Sequence, residues 1–219
     1  LSLALGYRPG EVTIFLYDCS GSELLTPFTN RIPHLHYERL ASAQELPLKL
    51  LQPLRTELDR RAPLRRTPEL PSLEAYRQRT GVSLPRLVAL FDGLDDLYLR
   101  AGTTASEVTK TFSALLSPPG DSGVSVVMTF RSLGRVPQPI RGLIPRVASG
   151  LFLPPEETEA RTFLSGAPAS GAPAPSAPGE ALFTPSFGRP ELQPLLVAHL
   201  GQARLEYYLS MLASLARGR

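Results

Sequence analysis

The sequence predicts an α/β fold built on a mostly parallel sheet with helices on both faces. Two observations carry that expectation. The runs VTIFLYD (12–18), LVALFD (87–92) and VSVVMTF (124–130) are rich in β-branched and aromatic residues and apolar on both strand faces. Strands covered by helices on two sides need that pattern. Helical or loop stretches separate the runs, as in an α/β domain.

The elements follow in order. LSLALGYRPG reads as an apolar helix tail closed by Gly6 and Pro9 ahead of the first strand. It has no basic segment before its apolar part, unlike a signal peptide, and it suggests that the chain lacks its true start. VTIFLYD is a central strand that ends at Asp18, and CSGSE is the polar turn after it. SAQE (42–45) has capping-box spacing, with Ser42 as N-cap and Glu45 three residues on. Leu50, Leu51, Leu54 and Leu58 mark the buried stripe of the helix it opens, kinked at Pro53. Arg55, Arg60, Arg61, Arg65 and Arg66 form a basic run leading out of it. The run reads as a solvated helix end or as a contact for nucleic acid or a neighbouring subunit.

LVALFD is the second buried strand. A helix over 105–116 turns Val108, Phe112, Leu115 and Leu116 inward, and VSVVMTF is the third strand. LFLP (151–154) is a fourth. The stretch SGAPASGAPAPSAPG (165–179) contains only Pro, Ala, Gly and Ser and reads as a flexible loop or linker. Beyond it, Arg189-Pro190-Glu191 starts a helix with Pro at its first position. Leu192, Leu195, Leu196, Leu200, Ala203, Tyr207 and Met211 form its apolar face, weakened at Gly201. The expected organisation is therefore a core over 1–164, the linker 165–179, and a final strand and packing helix over 180–219.

Composition bounds the function. A chain of 219 residues suits one domain with an appendage. A net charge of +3, from 23 basic and 20 acidic residues, permits contact with a polyanion without arguing for it. Three His and one Cys argue against a structural zinc cluster, and Cys19 alone cannot form an internal disulfide. No stretch approaches the roughly 20 apolar residues of a membrane span.

In open parallel sheets, ligands sit beyond the carboxyl ends of the strands. Those ends carry Asp18, Asp92, and Thr129 with Arg131 and Ser132. Asp92 is the strongest candidate, because a carboxylate there can hold Mg²⁺ or its water beside nucleotide phosphates. A turn or helix cap is the plain alternative for Asp92, and a turn former for Asp18. A phosphate cradle is missing: there is no GxxxxGK[ST], and Lys49 and Lys110 lie outside any glycine-rich loop. His34 reads as a packing histidine, and Cys19 has no evident His partner for covalent chemistry.

The order of these features resembles the part of an FtsK/SpoIIIE-type domain that follows the phosphate-binding loop, in the FtsK–HerA group of P-loop ATPases. RPGEVTIFLYDCSGSEL (8–24) is similar to the family's second core strand, with Asp18 in its Asp place. IPHLHYERL (32–40) is similar to its Pro-His-Leu turn and the strand after it. ELDRR (57–61) is similar to a helix ending in acidic-x-Arg-Arg, and SLEAYRQR (72–79) to a short aromatic segment. LPRLVALFDGLDDL (84–97) looks like the Walker B strand. Residues 122–164 are similar to the strand ending in Thr-Gln-Arg and the segments beyond it.

The resemblance implies a RecA-like core, incomplete at its N-terminus, with the Walker A loop upstream of Leu1. It puts Asp92 on the metal-water Asp, Asp96 on a recurrent Asp of the next turn, and Thr129 and Arg131 at the phosphate-facing strand end. ATP and Mg²⁺ are implied if that upstream loop exists. Arg146 and Arg161 are candidates to reach a neighbour's nucleotide. The implied setting is cytoplasmic, or membrane-associated through segments outside this chain. The implied partners are duplex DNA and a homo-oligomeric ring or a neighbouring ATPase domain. Two departures stand out. Gly93 occupies the catalytic Glu place, and Phe130 replaces a polar residue. Losing the acid–base group costs typically 10²–10⁴-fold in rate, with Asp95 or Asp96 as conceivable substitutes. Similar Asp-Gly endings occur in EccC-like ATPases of type VII secretion systems, which implies an alternative role: binding protein substrate or a neighbouring ATPase subunit.

Overall fold

The computed structural model describes residues 2–40, 47–66, 72–116, 123–131, 135–136, 138–143, 149–152, 180–184, 193–197 and 201–217. The capping box at 42–45, the linker 165–179, Ser132, Arg146, Arg161 and the expected helix start at 189–191 lie outside these residues. The chain forms two compact units: Leu1–Thr129 with Gln202–Arg219, and Phe130–Gly201.

The first unit holds a four-stranded sheet in the order β2-β1-β3-β4. Its strands are β1 (Val12–Asp18), β2 (Leu35–Arg39), β3 (Arg86–Asp92) and β4 (Val124–Met128), and every pairing is parallel. Around them lie α1 (Ser2–Gly6), α2 (Pro47–Leu50), α3 (Gln52–Arg60), α4 (Ala62–Arg66), α5 (Leu73–Thr80), α6 (Leu94–Ala101) and α7 (Ala105–Leu115). In a parallel ladder, partners in register point to the same face. Tyr17 and Phe91, paired across β1 and β3, stack with ring centroids 4.8 Å apart, and Phe112 of α7 meets Phe91 edge-on. On the opposite face Leu35 packs with Ala4 of α1, Ile32, and Leu209 and Leu212 of the C-terminal helix, Gln202–Arg217. Helices therefore cover both faces, as the continuous apolar strands require.

Several expectations change in detail. The helix kinked at Pro53 is two helices broken at Leu51, with Pro53 in the first turn of α3, where its missing N–H is harmless. β4 is half exposed rather than buried, because Ser125 and Val127 face solvent on an edge strand. Arg61 is neither a solvated helix end nor a free surface cation. It is fully buried, pairs with Glu57 at 2.8 Å and donates to the Pro85 carbonyl.

The second unit holds a helical turn, α8 (Gln138–Arg141), and an antiparallel sheet in the order β5-β6-β7 (Gly150–Phe152, Glu180–Thr184, Gln193–Leu196). The LFLP strand thus belongs to this separate sheet, and the fourth strand of the parallel sheet is β2. The helix expected from Pro190 through Met211 is likewise corrected. Residues 193–196 are a strand, and the helix α9 spans Gln202–Arg217. Pro194 explains the difference. Inside a helix it would lose a hydrogen bond and clash with the carbonyl four residues back, whereas β7 lies at the edge of its sheet among the described residues and tolerates it. The inward face of α9 is Leu205, Leu209 and Leu212, while Ala203 and Tyr207 are exposed.

Candidate functional site

The carboxyl ends of β1, β3 and β4 bring three of the expected residues together. Asp18 and Asp92 are partners in the β1–β3 register. The β4 end reaches them through Thr129, whose Oγ1 donates to Asp92 Oδ1 at 2.9 Å. Ser20, in the turn after β1, lies between the carboxylates: its Oγ is 3.1 Å from Asp18 Oδ1 and 3.0 Å from Asp92 Oδ2. The Tyr37 hydroxyl of β2 donates to Asp18 Oδ2 at 3.1 Å. One polar chain therefore crosses all four strands, Tyr37–Asp18–Ser20–Asp92–Thr129, and ends where Gly93 N donates to Thr129 Oγ1 at 2.9 Å.

The two carboxylates have different work. Asp18 is fully buried. Besides Ser20 and Tyr37 it accepts from Gly21 N at 2.8 Å, and Arg39 Nε lies 3.6 Å from it. Arg39 also donates to the Gly21 carbonyl at 2.8 Å. With four polar groups turned to it, Asp18 is consumed in holding the turn at residues 19–21. Burial and then the Asp18 charge raise the Tyr37 phenol above its ordinary value, so it stays a donor. Asp92 is half-buried, and among the described residues its carboxylate accepts from the Ser20 and Thr129 hydroxyls. An ionised carboxylate has roughly four lone-pair positions, which leaves Asp92 capacity for a metal-bound water. The residues present thus fit Mg²⁺ held through water at Asp92. They supply neither the lysine nor the glycine-rich cradle for the phosphates.

Gly93 occupies the left-handed region, at φ 70° and ψ 51°. A Cβ there would lie 2.9 Å from Ser20 Cβ and 3.2 Å from Ser20 Cα and N. The position that the resemblance gives to a catalytic Glu therefore lacks room for a side chain as well as the side chain itself. Asp95 and Asp96 stand in the first turn of α6, where a negative charge meets the favourable end of the helix dipole. Asp95 is fully buried; Asp96, half-buried, donates its backbone N–H to the Gly93 carbonyl at 3.0 Å. Arg131 is exposed and belongs to the second unit.

Cys19 is buried, and its thiol donates weakly to the Tyr17 carbonyl. Burial, then the charges of Asp18, Asp92 and Asp96, push the thiol far above its ordinary value. A scarce thiolate is no nucleophile. His34 is a packing residue whose Nε2 donates to the Tyr7 carbonyl at 2.8 Å. Among the described residues, no three His, Cys, Asp or Glu side chains gather as a metal site.

Sequence reasoning missed Ser20, Tyr37 and Arg39. Tyr37 and Arg39 alternate on β2, and once the β1–β2 register is known they fall beside Leu16 and Asp18. Without that register no local pattern distinguishes them from their neighbours.

No protein-family model and no curated protein matches the chain. Solved structures do. The cytoplasmic domain of the Thermomonospora curvata type VII secretion ATPase EccC superposes with TM-score 0.70 at 19% identity, covering 96% of this chain and 25% of that one. EssC (ATPases 2 and 3) from Geobacillus thermodenitrificans gives 0.68 at 16%, covering 99% and 40%. Thermomonospora curvata EccC (ATPases 2 and 3) in complex with a signal sequence peptide gives 0.59 at 18%, covering 99% and 38%. The chain thus spans between a quarter and two fifths of the length of these proteins, and it has the fold of their ATPase regions. Among the described residues no helix is long and apolar enough to cross a membrane.

Proposed function

We propose that this chain is a divergent ATPase-type domain of the FtsK–HerA group, allied to the EccC-like secretion ATPases, that works by binding rather than by rapid turnover. Its role is to hold a protein substrate or a neighbouring ATPase domain on the cytoplasmic side of a secretion assembly. Position 93 is the observation that carries this reading. The acidic strand end is kept at Asp92, while the place of the water-activating acid is closed by Ser20. ATP with Mg²⁺ is the proposed ligand wherever a phosphate-binding loop completes the site, with Asp92 as the metal-side residue and Thr129 beside it. Asp96 is a secondary candidate. The signal peptide bound by one EccC relative favours a protein substrate.

The alternative, ATP-driven movement of duplex DNA, has less support. Several described cations are committed to acids: Arg31 to Glu206, Arg60 and Arg61 to Glu57, Arg77 to Glu74, and Lys110 to Glu107. A protein containing this chain is tested for ATP turnover, for peptide capture, and for duplex-DNA affinity against salt. The expected result is peptide or partner capture with turnover about 10²–10⁴-fold below that of a site with a general base. Turnover at roughly 1–10³ s⁻¹, or DNA affinity falling steeply with salt, overturns the proposal.

A further inference from the structure

Among the described residues, Ser20 is the side chain that touches both carboxylates and the space beside Gly93. Its backbone is anchored there, because Cys19 N and Ser20 N both donate to the Asp92 main-chain carbonyl, at 2.9 and 3.2 Å. Its hydroxyl is oriented too. Ser22 N donates to Ser20 Oγ at 3.1 Å, which leaves the hydroxyl hydrogen for the carboxylates. Thr129 grips the other oxygen of Asp92 while accepting from Gly93 N. Asp92 is thus held from both sides by small hydroxyls, and an anchored backbone blocks position 93.

We infer that Ser20 is a positioning residue that replaces the missing acid as a structural part: it fixes the Asp92 carboxylate and shuts position 93 to side chains. The site is built around the gap, and restoring Glu at 93 alone does not restore a base. The part of this inference that concerns Asp92 as a metal-side residue rests on the proposed function; the closure of position 93 does not.

Two measurements test it, both on protein containing the whole chain. The first is a double-mutant cycle of Ser20→Gly with Gly93→Ala, read as urea midpoints. Gly93→Ala alone lowers the midpoint by the strain of a left-handed non-glycine residue plus the contact with Ser20. In the Ser20→Gly background, where the 2.9 Å Cβ contact is gone, the loss is expected to fall to about half. Additive losses overturn the closure. The second is ATP binding titrated with Mg²⁺. Ser20→Ala is expected to raise the Mg²⁺ concentration at half-saturation roughly tenfold and to leave binding without Mg²⁺ unchanged. An equal loss with and without Mg²⁺ marks a general structural role and overturns the positioning. If the wild-type protein binds no ATP at all, the proposed function and the positioning role at Asp92 fail together, while the cycle still decides the closure of position 93.

Discussion

Arg61→Ala tests whether the basic run after α3 belongs to the fold or to a ligand surface. The Arg61 side chain is fully buried and its partner Glu57 is 15% exposed. Nε and Nη2 both reach Glu57 Oε1, at 2.9 and 2.8 Å, and Nη2 also serves the Pro85 carbonyl just ahead of β3. Removing the guanidinium strips a charge-assisted hydrogen bond from that carbonyl, a loss of about 1.5–3 kcal/mol. It also leaves Glu57 without its buried partner. Breaking such a pair costs about 3–5 kcal/mol. The lower end applies, because Arg60 lies 3.3 Å from Glu57 Oε2 and keeps some compensation. The two losses overlap, so the sum is not taken, and about 3 kcal/mol is expected. At an m-value of about 2–3 kcal/mol/M the urea midpoint falls by about 1–1.5 M with unchanged slope. Arg61→Lys keeps the charge but not the fork, and about half the loss is expected. A midpoint within about 0.3 M of wild type would refute the reasoning. So would an unchanged midpoint accompanied by weaker binding of duplex DNA, which would return Arg61 to the ligand surface.

The remaining predictions separate structural from ligand-facing groups. Asp18→Asn turns an amide toward the donors Gly21 N, Tyr37 and Arg39 and is expected to cost about 2–4 kcal/mol. Asp92→Asn should cost under about 1 kcal/mol, because the amide oxygen still accepts from one of the two hydroxyls, Ser20 or Thr129, and the other hydroxyl can turn to accept from the amide N–H. Equal losses in denaturation would contradict this division. Cys19, buried and with its thiol pushed upward, should react with a thiol reagent at pH 8 only as fast as the protein unfolds; rapid labelling of the native state would show the site to be open. The Tyr98 phenol is pushed up from 10.0 to about 12 by burial, partly offset by its hydrogen bond with Thr109. A raised folded value means its contribution is complete below pH 10.0 and is lost as pH rises toward about 12. Between those values wild type should lose stability faster than Tyr98→Phe; parallel curves would refute the burial of that hydroxyl.

Much of the parallel sheet was legible in the sequence, because strands buried on two faces must be apolar in unbroken runs. β1 coincides with VTIFLYD, β3 is LVALFD extended by Arg86, and Val108, Phe112 and Leu115 of α7 point inward as their spacing requires. Legibility failed where solvent or proline entered. β4 at the sheet edge is half exposed, and apolar leucines at 195 and 196 belong to a strand whose residues are all exposed. Hydrophobic periodicity alone did not separate that strand from the helix beyond Gly201. The weight of Pro194, a missing N–H and a ring clash, outran the pattern.

The sequence by itself determined that acidic groups close β1 and β3 and that position 93 is glycine, because strand alternation and residue identity are local. Only the tertiary structure decided what those residues do. Asp18 is spent on the turn through partners on β2, Asp92 accepts from the Ser20 and Thr129 hydroxyls, and Ser20 from the turn after β1 fills the space beside Gly93. Those assignments depend on the parallel register that sets Asp18 beside Asp92. Register arises from packing between segments about seventy residues apart, and no local pattern encodes it.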